Sequence, residues 1–302
     1  MGSPFDLADD TTYRAWRDAR LARYPRAADE LVVPLAQPRQ LAPAERHALA
    51  ACCARANMAI YSAPHLPAAD KSLALALSRQ LGLVRLEGNY LADEDGLSSI
   101  TPNEDETHVR GDYIPYTHKP INWHTDGYYN TPARRILGMT LHCAQDAETG
   151  GENALLDHEI AYIQLRDVNP DYVAALMHPA AMTIPPRLGE DGVDRAEQGG
   201  PVFAVDPDAG FLTMRYTART RSIAWRGDAT TQAAVKTLTE ILADSEYILT
   251  VRLTPGMGLV CNNVLHTRNG FSDSPGRRRL LYRGRYYDRL RFDPSPATAS
   301  AT

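Results

Sequence analysis

Short hydrophobic segments separated by Pro, Gly, Asn and charged residues dominate the chain from Asp112 onward. Such segments predict β-strands, because a strand needs only about four to eight residues with turn residues on either side. We expect these strands at residues 113–116, 121–123, 136–143, 154–157, 247–253, 259–261 and 279–287. Two earlier strands are predicted at 58–61 and at 30–36, the latter on a sheet edge because Pro34 cannot donate a ladder hydrogen bond.

Hydrophobic residues spaced by three or four positions predict helices around these strands. We expect the helices at residues 43–57, 68–81, 159–167 and 230–242. Pro43 suits a first helical position, and Gly82 is a typical stop signal. Residues 5–28, rich in Arg, Asp and Ala, predict a surface helix that packs loosely. The pattern as a whole predicts a mainly β body of the sandwich or barrel type with flanking helices.

Two polar stretches interrupt this pattern. Residues 87–111, which include the acidic run at 104–106, are expected to be a solvated loop, and residues 185–200 an exposed insert. We expect an N-terminal extension at 1–29 and a single domain at 30–293. The Ser-, Pro- and Ala-rich end of the chain predicts a disordered tail at 294–302.

Composition and charge narrow the class of protein. The 302 residues are 44% hydrophobic and 23% charged, which is ordinary for a soluble globular protein. A net charge of −5 gives no reason to expect a nucleic acid or an anionic membrane as a partner. No apolar run of about 18 residues and no secretory signal is visible, and the four cysteines form no Cys-x-x-Cys pair. We therefore expect a cytoplasmic protein that acts on a small molecule, and the sequence leaves a homo-oligomer open.

His124 and Asp126 form the central candidate site. Two residues apart on an extended strand, their side chains should point to the same face and reach one metal ion. A bare His-x-Asp pair is common by chance, so a third ligand is needed, and His266 is the best candidate. Two histidines and one carboxylate with open coordination positions are the ligand set of non-haem Fe(II) oxygenases.

Arg279 adds a second chemical signal. The chain leaves His266, reverses at Pro275-Gly276, and returns with Arg279, whose side chain should come back beside the metal. A guanidinium group binds a carboxylate through two parallel, charge-assisted hydrogen bonds. The arrangement therefore suits a dicarboxylate co-substrate that chelates the metal at one end and pairs with arginine at the other.

Five segments, in this order and separation, resemble the Fe(II)- and 2-oxoglutarate-dependent dioxygenases of the taurine dioxygenase (TauD/TfdA) family, with features of the γ-butyrobetaine hydroxylase branch. They are His124-x-Asp126, Gly150-Gly151-Glu152-Asn153, Pro255-Gly256, His266 and Arg278-Arg279-x-x-x-Arg283. The resemblance covers most of the chain and implies a double-stranded β-helix (jelly roll). It implies that His124, Asp126 and His266 bind Fe(II), and that Arg279 binds the distal carboxylate of 2-oxoglutarate.

The resemblance leaves several roles open. Asn153 stands where taurine dioxygenase relatives carry a Thr that helps to bind 2-oxoglutarate; its amide is expected to donate a similar hydrogen bond, or it is a plain turn residue. Arg283 matches the position that grips the substrate's sulfonate in taurine dioxygenase, but it would equally bridge strands. Arg268 either faces the site or braces a turn.

Three residues that follow the proposed ligands, Tyr128, Tyr129 and Asn130, are expected to line the substrate pocket. With Trp123, the two tyrosines would also suit an aromatic cage for a quaternary ammonium group, although core packing is the better interpretation for Trp123. His142 lies on a predicted strand and is expected to be a buried, hydrogen-bonded side chain and no ligand.

The resemblance implies that the protein oxidises, most simply by hydroxylation, a C–H bond of a small polar or charged metabolite. Fe(II), 2-oxoglutarate and O2 would be required, with release of succinate and CO2. Halogenating relatives replace the carboxylate ligand by a small residue, so the presence of Asp126 favours hydroxylation. A zinc-dependent hydrolase, or a catalytically inactive small-molecule binding protein on the same scaffold, stays open as an alternative.

Overall fold

A computed structural model describes the chain at residues 2–88, 92–102, 113–189, 192–221 and 223–292. Helices and antiparallel sheets both contribute substantially to these ranges, so the fold is mixed and the expectation of a mainly β chain is corrected. The helices are α1 (Asp10–Arg23), α2 (Pro43–Ala56), α3 (Lys71–Gln80), α4 (His158–Val168), α5 (Pro170–Leu176) and α6 (Ala229–Asp244).

The strands are mostly short. In chain order they are β1 (Val32–Pro34), β2 (Met58–Ser62), β3 (Ser98–Ile100), β4 (Ile121–His124), β5 (Gly138–Gln145), β6 (Thr149–Gly150), β7 (Asn153–Leu156), β8 (Met182–Ile184), β9 (Arg187–Gly189), β10 (Gly192–Arg195), β11 (Gln198–Gly200), β12 (Phe203–Val205), β13 (Leu212–Met214), β14 (Ala224–Trp225), β15 (Leu249–Val251), β16 (Met257–Cys261), β17 (Leu265–Arg268), β18 (Phe271–Ser272) and β19 (Leu280–Tyr286).

Two larger sheets organise the described residues. One has the strand order β1-β2-β16-β5-β19-β3, and the other has the order β15-β7-β17-β4. Neighbouring strands pair antiparallel, except that β1 runs parallel to β2 at the sheet edge expected from Pro34. Hydrophobic side chains of both sheets belong to one continuous core, to which Ile60 and Leu259 contribute from the first sheet and Leu155 and Leu265 from the second.

Local sequence signals placed most helices correctly. α2 begins at Pro43 and is followed by Asn57 in a left-handed conformation with φ 55°. α3 is followed by Gly82 with φ +79°, a conformation that costs glycine little. These ends agree with the predictions because helix caps depend on residues next to one another in the sequence.

The N-terminal helix packs more tightly than the sequence predicted. α1 exists, but the expected loose packing is wrong: Tyr13 is buried, and its Oη donates to Asp167 Oδ1 at 2.7 Å. Arg20, also buried, reaches Glu159 Oε2 at 2.9 Å and forms a second ion pair with Asp157. Such a buried cation needs both carboxylates, because each unpaired charge would be costly in the core. The boundary proposed at residue 30 stays a prediction.

Other segments also differ from the predictions. Residues 114–116 form a short 3-10 helix containing Pro115, where a strand was expected. The expected exposed insert at 185–200 contains β9, β10 and β11. Helix α5 was not predicted, although Asn169 caps it and Pro170 is its first residue. The acidic run at 104–106 and the expected tail at 294–302 lie outside the described residues. Among the described helices, none combines the length and apolar character needed to cross a bilayer.

Candidate metal centre

The structure brings His124, Asp126 and His266 together. One potential ligand atom from each residue lies within 4.8 Å of the other two. His266 on β17 pairs in register with His124 at the end of β4, and their ring centroids are 4.2 Å apart. Asp126 lies just beyond β4, so the expected single extended strand is corrected. A turn after the strand places the carboxylate, with Asp126 Oδ1 4.0 Å from His124 Nε2.

Asn263 fixes this turn and was not identified from the sequence. Its Oδ1 accepts the backbone N–H of Asp126 at 2.8 Å, and its Nδ2 donates to the carbonyl of Asp126 at 3.0 Å. Asn263 itself adopts a left-handed backbone with φ 51°, which asparagine tolerates better than most residues. The signal in the sequence was its position three residues before His266, at the start of a turn between β16 and β17.

Backbone carbonyls orient both imidazole rings. His124 Nδ1 lies 2.9 Å from the carbonyl oxygen of Asn122, and His266 Nδ1 lies 3.0 Å from that of Val264. Because a carbonyl only accepts, each Nδ1 carries the proton and each Nε2 keeps a free lone pair. Burial lowers the pKa of His124 to about 3 and also lowers the pKa of His266. Both rings are therefore neutral at physiological pH, as metal ligation requires.

Asp126 completes the donor set as an ionised carboxylate. Burial alone would raise its pKa, but the positive charges of Arg283 and Arg285 hold that pKa below its ordinary range. Arg283 Nη1 lies 3.3 Å from Oδ1, whereas Oδ2 is buried without a hydrogen-bond partner in the described part of the chain. A buried anionic oxygen without a partner is costly unless a cation contacts it. Two neutral imidazoles and one such carboxylate fit Fe(II) and leave coordination positions open.

Arg279 lines the same cavity as the two histidines. This cavity contains about 420 Å³ of empty space, part of it open to solvent, and Asn153 and Arg283 also line it. Arg279 is only 4% exposed, and its guanidinium carbon lies 5.0 Å from the ring centroid of Phe271. Burial lowers its pKa to about 10, so it stays charged at neutral pH. Within the described ranges its guanidinium group makes no hydrogen bond or ion pair, which fits a site for an incoming carboxylate.

The Gly150-Gly151 turn shapes this cavity. Both residues have positive φ, at +73° and +78°. A Cβ on Gly150 would lie 2.2 Å from the carbonyl oxygen of Gly270, and a Cβ on Gly151 would lie 3.2 Å from Arg279 Nε. The turn therefore needs glycine both for its backbone conformation and for its close approach to the arginine.

Asn153 follows this turn at the start of β7. Its Nδ2 donates to the carbonyl of Thr267 at 2.7 Å, which connects β7 to the strand that carries His266. Its Oδ1 is buried and has no partner among the described residues. Asn153 is therefore more than a plain turn residue, while its contact with a co-substrate stays a prediction.

Two open questions about other residues are resolved. The guanidinium group of Arg268 donates to the carbonyls of Pro115 at 2.9 Å and Thr117 at 2.8 Å, so it braces the segment before β4. Arg268 also lines the cavity that holds the two histidines, so both alternatives apply to it. His142 is hydrogen-bonded to Tyr61 Oη at 2.8 Å and to the carbonyl of Ala68 at 2.7 Å, which confirms the prediction of a buried, hydrogen-bonded side chain.

The expected substrate residues Tyr128, Tyr129 and Asn130 do not line the cavity of the two histidines and Arg279; Tyr128 and Asn130 line a second cavity together with Asp126. Tyr129 Oη accepts from Arg285 Nη1 at 2.7 Å, and Arg285 is paired in turn with Glu87 at 2.6 Å. Asn130 donates to Glu87 Oε1 at 2.6 Å and to the carbonyl of Arg134 at 3.0 Å, so both its amide hydrogens are engaged. Trp123 packs against the core, as expected.

Two arginines that the sequence did not single out cover the tyrosine rings. The guanidinium carbon of Arg219 lies 5.6 Å from the ring centroid of Tyr128, and that of Arg195 lies 5.5 Å from that of Tyr129. The aromatic cage for a quaternary ammonium group is therefore wrong, because cations already occupy the ring faces. No local signal marked these arginines, since they lie about 65 to 90 residues from the tyrosines in the sequence.

Known proteins resemble this chain in sequence and in fold. The family model described as "Taurine catabolism dioxygenase TauD, TfdA family" matches residues 18–285. A "Uridine-5'-phosphate dioxygenase" from Amycolatopsis sp is 34% identical over 174 residues, which are 54% of this chain and 60% of that protein. A protein of the same name from Streptomyces sp is 28% identical over 201 residues, covering 63% of this chain and 69% of that protein.

A solved structure supports the same fold. Asparagine oxygenase in complex with Fe(II), 2S,3S-3-hydroxyasparagine and succinate matches with a TM-score of 0.57 at 16% sequence identity. The match covers 95% of this chain and 86% of that chain. At this identity the likeness concerns the fold, and the side chains of the site must be judged from their own geometry.

Proposed function

Because this chain belongs to the taurine catabolism dioxygenase TauD, TfdA family, we propose that it uses Fe(II), 2-oxoglutarate and O2 to hydroxylate a C–H bond of a small metabolite. The products from the co-substrate are succinate and CO2. The family that the sequence resembled is thereby confirmed. One observation carries the proposal beyond the family. The two histidines of a two-histidine, one-carboxylate cluster line the same cavity as buried Arg279, whose guanidinium group has no hydrogen-bond or ion-pair partner among the described residues.

In this proposal His124, Asp126 and His266 hold ferrous iron, which supplies the activation of O2 that C–H oxidation requires. Arg279 binds the far carboxylate of 2-oxoglutarate, and Asn153 offers its second amide hydrogen to the same carboxylate. Apolar side chains of the cavity wall, such as Leu141 and Met139, exclude water from the co-substrate. The chain's own contribution is thus to position charged groups in a dry cavity.

The substrate we propose is uridine 5'-phosphate or a similar small nucleotide, a charged metabolite of the class expected from the sequence. The name of the two relatives supports this choice. The charge around Asp126 supports it as well, because arginines, and no cation-binding cage, surround the tyrosines that follow the cluster. A phosphate group is the natural partner of such arginines.

We also propose that the two larger sheets form the double-stranded β-helix of this family, which the similar solved structure supports. A cytoplasmic location would suit ferrous iron and the four free, buried cysteines. The link to the γ-butyrobetaine hydroxylase branch and the homo-oligomer stay predictions.

The two alternative functions are not favoured. A zinc-dependent hydrolase would use the same three side chains, but it would have no use for a buried, unpaired Arg279 in the same cavity. A binding protein without activity would be under no pressure to keep the full ligand set. Membership of a dioxygenase family also argues against both.

Succinate release provides the test. The protein, prepared without O2 and given Fe(II), 2-oxoglutarate and ascorbate, should release succinate on exposure to air, and uridine 5'-phosphate should stimulate the release. His266→Ala should lose this activity and bind Fe(II) at least about tenfold more weakly in an anaerobic titration, because two ligands hold a metal poorly.

A matched control is His47→Ala, which removes an exposed histidine from α2 and should change neither quantity. Full activity of His266→Ala would contradict the proposed iron site. Succinate release that no nucleotide stimulates would contradict the proposed substrate while leaving the iron site intact.

A further inference from the structure

Two arginines converge on one pair of tyrosines beside the proposed iron site. Arg195 ends β10, and Arg219 follows β13, yet their guanidinium carbons lie 5.5 Å and 5.6 Å from the ring centroids of Tyr129 and Tyr128. The two rings are 5.1 Å apart and nearly perpendicular, with an interplanar angle of 82°. The two cations therefore share one small region above adjacent rings.

The described residues supply no counter-ion for this positive charge. Within the described ranges neither Arg195 nor Arg219 forms an ion pair, and Arg195 Nε is buried without a hydrogen-bond partner. One contact of Arg195 is satisfied, since its Nη2 donates to the carbonyl of Pro185 at 2.9 Å. Burial lowers the pKa of Arg195, and repulsion from the nearby charge of Arg219 adds to this effect. A region of this kind gains stability when an anion binds.

Two neighbouring arginines, Arg283 and Arg285, differ from this pair because they contact carboxylates of the protein. Arg285 is paired with Glu87 at 2.6 Å, and Arg283 lies 3.3 Å from Asp126. Their charges are therefore compensated by carboxylates of the protein. Arg195 and Arg219 lie against the tyrosine rings, and no carboxylate of the described residues compensates their charges.

The tyrosines connect this region to the proposed iron site. Tyr128 follows Asp126 by two residues, so the backbone places them within about 8 Å of each other. Tyr129 Oη accepts from Arg285, whose charge also acts on Asp126. A small substrate that reaches the iron with one carbon could therefore contact the arginine pair with an anionic group at its end.

We propose that Arg195 and Arg219 form a subsite for the 5'-phosphate of the substrate, with Tyr128 and Tyr129 holding the two guanidinium groups in place. The ring faces stabilise the cations through cation–π contacts, which leaves N–H edges available to phosphate oxygens. The identity of the substrate rests on the proposed function. The phosphate chemistry rests on Arg195 and Arg219 themselves, which form no ion pair within the described ranges.

The test compares a phosphorylated with an unphosphorylated substrate. The measured quantity is the ratio of kcat/KM for uridine 5'-phosphate to kcat/KM for uridine, determined from substrate-stimulated succinate release. This ratio should fall about tenfold or more in the double variant Arg195→Gln/Arg219→Gln, since two charge-assisted contacts are lost. Arg221→Gln removes an exposed arginine two residues from Arg219 and should leave the ratio within about twofold. Arg219→Gln alone, at an exposed position, gives the answer if the double variant fails to fold.

A second readout separates this inference from the proposed function. Inorganic phosphate, compared with chloride at equal ionic strength, should raise the melting temperature of the Fe(II)-loaded wild type and not that of the double variant. If uridine 5'-phosphate is oxidised but the preference is unchanged in the double variant, the subsite is overturned and the proposed function stands. If the wild type oxidises no nucleotide, the phosphate titration decides: stabilisation lost in the double variant supports the subsite, and equal or absent stabilisation overturns it.

Discussion

At the residue scale, His124 and His266 are oriented by the same kind of local hydrogen bond. In each case the carbonyl two residues earlier, of Asn122 or Val264, accepts from Nδ1. The contact fixes both the tautomer and the rotation of the ring, so Nε2 is presented without a further side chain. This arrangement explains how both imidazoles can be buried and neutral, because each imidazole proton is accepted by a backbone carbonyl two residues earlier in the chain.

Arg279 leads to a prediction at the same scale. Arg279→Ala should raise the KM for 2-oxoglutarate about 100-fold, because a bidentate, charge-assisted contact in a dry cavity is lost, while anaerobic Fe(II) affinity should change little. Steady-state succinate release over a range of 2-oxoglutarate concentrations measures the effect. Arg278→Ala, an exposed neighbour, serves as the control. An unchanged KM in Arg279→Ala would remove this arginine from the co-substrate site.

At the scale of elements, strand register and one turn assemble the site. β17 pairs with β4 in a register that places His266 opposite His124, and it pairs with β7, which begins at Asn153. A shift by one residue would turn the imidazole of His266 to the opposite face of the sheet. The Gly150-Gly151 turn then brings the chain against Arg279, so the candidate metal ligands and Arg279 depend on the same few strands.

The Gly150-Gly151 turn leads to a testable prediction at the scale of elements. Gly151→Ala should raise the KM for 2-oxoglutarate about tenfold, because the new Cβ would lie 3.2 Å from Arg279 Nε and displace it. Gly210→Ala is a matched control, since Gly210 also has positive φ, at +70°, but its Cβ would meet no atom within 4 Å. Both variants should lose about 1 kcal/mol of unfolding free energy in urea titrations. Equal KM values in the two variants would show that the turn does not position Arg279.

For the whole molecule, the interior holds many buried ionisable groups besides the metal cluster. His158 at the start of α4 is 1% exposed, and its Nε2 bonds to the carbonyl of Leu212 at 3.1 Å. Its neighbour Asp157 is paired with Arg20 of α1, which ties the N-terminal helix to the same region. Burial lowers the pKa of His158 to about 4, so the folded protein keeps this ring neutral under mildly acidic conditions.

This burial predicts a loss of stability in acid. In the unfolded chain a histidine titrates near pH 6.5. In the folded protein His158 stays unprotonated until the pH falls to about 4, so between these values the unfolded state binds one more proton than the folded state. The free energy of unfolding should therefore be insensitive to His158 above about pH 7 and should fall by about 1.5 kcal/mol between pH 6.5 and 5 on its account. Urea denaturation of the metal-free protein measures this dependence.

The comparison of variants isolates this residue, because other buried histidines contribute equally to each protein. His158→Gln should show a shallower decline than the wild type, whereas His47→Gln, at an exposed position, should keep the wild-type slope. Parallel curves for all three proteins would mean that His158 is protonated in the folded state near its ordinary pKa.

The sequence predicted helix positions better than the structure of the segments at 113–116 and 185–200. Pro43, Gly82 and the hydrophobic spacing of α6 located their helices because these signals are local. The strand expected at 113–116 was wrong, since Pro115 lies in a 3-10 turn that Arg268 braces from a distant strand. The insert at 185–200 is exposed at Pro186, Arg187 and Glu197, as expected. Its strands were not predicted because its Pro and Gly residues resemble a loop, yet they pair with one another or with β8.

The sequence by itself determined the chemistry available to this protein, because residue identity fixes donor atoms and charges. His124, Asp126, His266 and Arg279 were identified in this way, in an order that a known family shares. Only the tertiary structure decided which groups meet. Arg283 contacts Asp126, Asn263 clamps the turn, and Arg195 and Arg219 cover the two tyrosines. Those contacts depend on strand register and on packing between residues far apart in the chain, which no local pattern encodes.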